Sequence, residues 1–202
     1  MAEKIQTALR RNQVEILLLF GLLAMTLFGA LLSGCGSGIK KLGNAPKGTT
    51  EYIITEHYST TDTAKEYIRK RESNGLCEKG ELDAEGHIHL YVTEEQRNTW
   101  IKEAEESMNE IEDSGKSDNI DYDFSRDYTK FTITASKGCN IKHMATILHQ
   151  ALFDAELYQV FRDQQDWKLL VVIVNRDTGK EVLTAEQPKA GILLDETLWD
   201  SK

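Results

Sequence analysis

His87-x-His89 sets two imidazoles two residues apart, and on a β-strand alternate residues point to the same side. Paired imidazoles suit zinc or copper, but such a site needs a third and usually a fourth ligand. Asp121 and Asp123 are the obvious donors for that role. Asp118, Asp121, Asp123 and Asp127 also have the acid density of a calcium loop. The glycine and glutamate that such a loop requires at its sixth and twelfth positions are replaced by Asp123 or Arg126 and by Thr129 or Thr132, so that reading fails. Cys77 or Cys139 with His143 would pair a thiol nucleophile with a base, and Cys139 stands just before a helix whose N-terminus would lower its pKa. No further catalytic pattern surrounds either cysteine. Asp154 with Glu156, or Asp163 with Asp166, could do acid-base work only in an apolar cleft, and the sequence reads them as surface acids. It assigns no catalytic set, no metal site and no cofactor.

The elements that position these residues follow from periodicity. Ala64, Tyr67, Ile68 and Arg71 lie at helical spacing within Thr60–Ser73, and Asn74-Gly75 ends that helix. Ile88, Leu90 and Val92 alternate with His87, His89 and Tyr91, the pattern of a half-buried strand. Thr93 and Gln96 form a capping box for a long helix whose apolar stripe is Trp100, Ile101, Ala104, Met108 and Ile111. Two alternating runs, one around Ile120, Tyr122 and Phe124 and the other around Phe131, Ile133 and Ala135, are joined at Arg126-Asp127 as a hairpin. Asn140 caps a second, more apolar helix reaching Tyr158. Trp167 to Val174 reads as a central strand and Glu181 to Glu186 as its returning neighbour.

Strand, helix, strand, strand, helix, strand is the order of the ferredoxin-like, split βαβ arrangement, an α+β fold with two helices on one face of an antiparallel sheet. An extra C-terminal strand follows it. That fold carries no activity with it. In it the 129 to 135 strand separates Asp121 and Asp123 from the histidines by two strand spacings, about 9.5 Å, which excludes them as shared metal ligands. The same arrangement puts Cys77 and Cys139 near one end of the sheet, either bridged or as two reduced thiols. It also puts His87, His89, Tyr91, Lys130, Thr132 and Thr134 on the face away from the helices. An aromatic ring, imidazoles and hydroxyls make that face a candidate binding surface, unless the 51 to 82 segment or Ile192 to Trp199 folds over it.

Location is read from the other end of the chain. Lys4, Arg10 and Arg11 precede an uncharged apolar run from Ile16 to Leu32, and Leu32-Ser33-Gly34-Cys35 follows. These four residues resemble the lipobox of bacterial lipoproteins. The resemblance implies cleavage before Cys35, diacylglyceryl attachment to its thiol and further acylation, commonly with palmitate, of the new amine. Two chains hold a protein at a bilayer where one does so only marginally. Residues 1–34 are then the signal peptide. Residues 35–50, rich in glycine and lysine, are a flexible tether, and Gly36-x-Gly38 lacks the preceding strand of a phosphate loop. Residues 51–202 form a single α+β domain.

The 202-residue chain carries 33 acidic and 24 basic residues, a net charge of −9, which excludes a sequence-independent grip on nucleic acid. The lipobox resemblance implies a protein anchored to the cell membrane by lipid, outside the cytoplasm. Its domain is expected to be a binding or protein-interaction module. The alternative is a small extracytoplasmic hydrolase without a recognisable catalytic motif.

Overall fold

The computed structural model describes residues 45–55, 61–114 and 119–200. Cys35 with the rest of the lipobox, most of the tether and Asp118 lie outside them. The described residues belong to a unit running from Lys41 to Lys202.

The elements follow in the order β1 (Thr50–Ile54), α1 (Thr61–Ser73), β2 (Lys79–Leu82), β3 (Ile88–Val92), α2 (Glu94–Ser114), β4 (Ile120–Phe124), β5 (Lys130–Ala135), α3 (Ile141–Val160), β6 (Leu169–Asn175), β7 (Glu181–Gln187) and a 3-10 turn (Glu196–Asp200). Local signals set most boundaries. The Thr93 N–H donates to Gln96 Oε1 at 2.9 Å and the Gln96 N–H to Thr93 Oγ1 at 3.3 Å, so the capping box starts α2. Asn140 Oδ1 accepts the His143 N–H at the start of α3. Trp100, Ala104, Met108 and Ile111 form the buried stripe of α2, as the spacing predicts. At the end of α1 the chain reverses through Gly75 with φ +70°, a left-handed conformation that glycine adopts without strain.

The strands form two sheets among the described residues. The first, β1-β3-β2, is antiparallel throughout, with Glu51, Tyr91 and Lys79 in one cross-strand row and Ile53, His89 and Glu81 in the next. The second has the order β4-β5-β6-β7, with β5 and β6 parallel across the α3 crossover and the other pairs antiparallel.

The α+β class stands, but the split βαβ arrangement is not confirmed. A strand has two edges, and both edges of β3 are taken, one by β1 and one by β2. β3 therefore cannot lie between β5 and β6, which pair directly with each other. β6 is the central strand that its apolar run predicts.

One core joins the layers. Tyr52, Ile54, Leu90 and Val92 of the first sheet share it with Phe131, Ile133, Val171 and Ile173 of the second and with the stripes of α2 and α3. Phe161, just past α3, stacks on Trp100 at 5.0 Å and meets Tyr52 at 4.8 Å, so one ring joins α2, α3 and β1. The 3-10 turn puts Trp199 into this core and contacts β7.

Candidate functional site

The six residues of the expected binding face do not share a surface. His89 and Tyr91 belong to the first sheet and His87 just precedes its strand β3, whereas Lys130, Thr132 and Thr134 lie on β5 in the second, beside Asp121, Asp123, Val172 and Val174. The face expected to be half solvated is also closed at its centre, because Tyr91 is 2% exposed and His89 5%. The threonines are half-buried and Lys130 is exposed. Ile173, whose burial bears on the same question, is buried on the inner side of the second sheet.

What the first sheet gathers instead is a chain of titratable groups. The Tyr91 hydroxyl donates to Glu51 Oε1 at 3.0 Å, and the same oxygen lies 2.9 Å from His89 Nδ1. The other ring nitrogen, Nε2, lies 3.2 Å from Asp83 Oδ2, and that oxygen is also 3.2 Å from His87 Nδ1. β1 supplies the glutamate, β3 the tyrosine and His89, and the β2–β3 turn the aspartate and His87. The His87 N–H donates to Asp83 Oδ1 at 2.7 Å and fixes that turn. Lys79 of β2 pairs with Glu81 at 2.8 Å and lies 5.3 Å from the centre of the Tyr91 ring.

The electrostatics follow from this packing. Burial would raise the Asp83 carboxyl, but the His87 amide and the two imidazoles outweigh it and hold the group below the usual carboxylate range. Burial and the hydrogen bond to Glu51 push the Tyr91 hydroxyl up to about 12. Tyr91 and His89 thus form a floor, with His87, Glu51, Lys79 and Glu81 as its more accessible rim. Sequence reasoning found His87, His89 and Tyr91 and missed Glu51, Lys79, Glu81 and Asp83, whose approach depends on β1 and β2. Among the described residues, no group of three or more His, Cys, Asp or Glu is placed to hold a metal ion.

The other candidates fall into structural roles. Asp154 and Glu156, read as surface acids, are 4% and 0% exposed, because α3 is covered on more than its apolar stripe. Burial raises the Asp154 carboxyl, partly offset by donors from Ser107 at 2.7 Å and Gln150 at 2.9 Å. Glu156 Oε1 accepts both the N–H and the hydroxyl of Thr55 at 2.8 Å, which fastens the end of β1 to α3. Asp163, with φ +66°, binds Arg97 at 2.9 Å and the Tyr52 hydroxyl at 3.2 Å. Asp121 pairs with Arg176 at 2.9 Å, and Asp127 accepts from Ser125 and Thr129 within its own turn.

Cys77 is a buried free cysteine and Cys139 a half-buried one. The shared sheet that would bring them to one end is absent. Burial, with Glu72 and Glu78 nearby, pushes the Cys77 thiol up to about 11. It raises Cys139 as well, so the helix start does not activate that thiol.

Comparison with known protein families, with curated proteins and with solved structures finds no match to this chain. Among the described residues no helix is long and apolar enough to cross a membrane.

Proposed function

We propose that this chain is a bacterial envelope lipoprotein, acylated at Cys35 and held outside the cytoplasm, whose domain is a binding module. The anchoring half rests on the lipobox Leu32-Ser33-Gly34-Cys35 behind an uncharged run. The binding half is carried by one observation: three strand-borne elements and a turn converge on a polar cluster, with a packed floor of Tyr91 and His89 beneath the rim. Rigid placement of donors and acceptors on strands is what a specific polar contact requires. The partner is read as a polar or charged group, since the rim offers carboxylates, one ammonium and an imidazole.

A photo-crosslinking residue at His87, in the native host, tests the binding half. The expected result is one partner captured from position 87 and not from Thr184, which is exposed on the second sheet. Capture should disappear in Glu51→Lys while the circular dichroism spectrum is retained. Equal capture from both positions, or capture indifferent to Glu51→Lys, would reject this surface.

One observation favours a second reading, a small extracytoplasmic hydrolase. His87 is half-buried and has Asp83 at ion-pair distance from Nδ1, the orientation a general base needs. Hydrolysis of a generic ester that is lost in His87→Ala would favour it.

A further inference from the structure

We propose that His89 is a proton-operated clasp on β1, the strand that follows directly from the residues leading back to Cys35. The inference concerns the same cluster but does not depend on the binding reading. Two carboxyl groups from separate elements face the ring: Glu51 of β1 is 2.9 Å from Nδ1, and Asp83 of the β2–β3 turn is 3.2 Å from Nε2. A neutral imidazole has one N–H, so it donates to one of them and turns a lone pair toward the other. Only the doubly protonated ring donates to both.

The described groups around the ring are accounted for. Glu81 sits across from it on β2 and is engaged by Lys79. Tyr91 on β3 and His87 just before that strand flank it, the first donating to Glu51 and the second lying against Asp83. None of them supplies the second proton that the Glu51–His89–Asp83 bridge needs. β1 is the edge strand of its sheet, held on one side by the β3 ladder and at its end by Glu156. Loss of the ring proton as pH rises turns one of the two bridging contacts from attraction to repulsion. β1 then loosens while the second sheet stays as it is. The ring's protonation thus sets how firmly the domain holds the strand nearest its anchor.

Hydrogen exchange on the full chain in detergent, read by mass spectrometry from about pH 5.5 to 8.5 and corrected for intrinsic rates, tests the clasp. Protection of the β1 amides should fall about ten-fold across that range, the loss of one charge-assisted bond, while β5 and β6 do not change. Glu51→Gln should abolish the slope, because the amide can donate to Nδ1 while Nε2–H donates to Asp83 with a neutral ring. Flat β1 protection in the wild type, or an undiminished slope in Glu51→Gln, would overturn the proposal. Should that variant not fold, NMR of the wild type decides: the His89 ring and the β1 amides must change at the same pH, and separate midpoints would overturn it. A sloping β1 with no crosslinked partner would sink the binding reading and leave the clasp. A captured partner with a flat β1 would do the reverse.

Discussion

Replacing Glu156 by alanine should destabilise the domain by about 2 to 3 kcal/mol, although its side-chain type reads as a surface acid in the sequence. The side chain is fully buried, and its Oε1 accepts two donors from Thr55 at 2.8 Å each. A hydrogen bond to a charged acceptor contributes about 1.5 to 3 kcal/mol, and leaving its donors unmet forfeits that amount. Thr55 is itself exposed, so water reclaims part of its bonding and the low end of that range applies. The lost methylene adds about 0.8 kcal/mol. Glu156→Gln keeps an oxygen acceptor for the Thr55 donors, so it should remain within about 1 kcal/mol of the wild type. Urea denaturation gives both values, provided the m-values match. A double-mutant cycle with Thr55→Val should show about 1 kcal/mol of coupling. If Glu156→Ala costs less than about 0.5 kcal/mol, or Glu156→Gln costs as much as the alanine variant, β1 is not fastened to α3 in this way.

Gly80→Ala should cost about 1 to 3 kcal/mol, because a Cβ there would lie 2.4 Å from Ile68 Cγ2 on α1 and 3.3 Å from Leu90. Ile68→Ala, which removes that Cγ2, should cost less in the Gly80→Ala background than in the wild type in urea melts, and an undiminished cost would place the strain elsewhere. Burial raises the Asp154 carboxyl, so stability at that site is highest in acid and falls as pH climbs through the raised value. Asp154→Asn should flatten this fall and gain on the wild type toward neutral pH; parallel stability curves would contradict it. Cys77 and Cys139 should both alkylate in denaturant without reductant, with Cys77 far slower in the native protein, and a requirement for reductant would show a bridge.

What the sequence reveals here is what local chemistry encodes. The Thr93 and Gln96 box, the Asn140 cap and the alternation across Ile120–Phe124 and Lys130–Ala135 each act within a few residues, and each appears where the pattern puts it. The first sheet is different. β1 is five residues beginning where the tether composition ends, and β2 is four residues containing a glycine, too short for either to show a period. Their pairing with β3 nevertheless decides the topology, since it fills both edges of that strand. It also decides the candidate site, because Glu51, Lys79, Glu81 and Asp83 reach the histidines only through β1, β2 and the turn after β2. The buried acids of α3 were hidden for a similar reason. Ser107 and Thr55, which satisfy Asp154 and Glu156, are 47 and 101 residues away in the chain. Side-chain type alone argues for solvent at those positions.

The central claim is that this domain is presented from a membrane by lipid on Cys35, and peptide mass mapping of the protein from its native envelope tests it most directly. The account predicts a mature chain beginning at Cys35, its thiol carrying diacylglyceryl and residues 1–34 absent, with the modification lost in Cys35→Ser. Recovery of residues 1–34 joined to an unmodified Cys35 would contradict it.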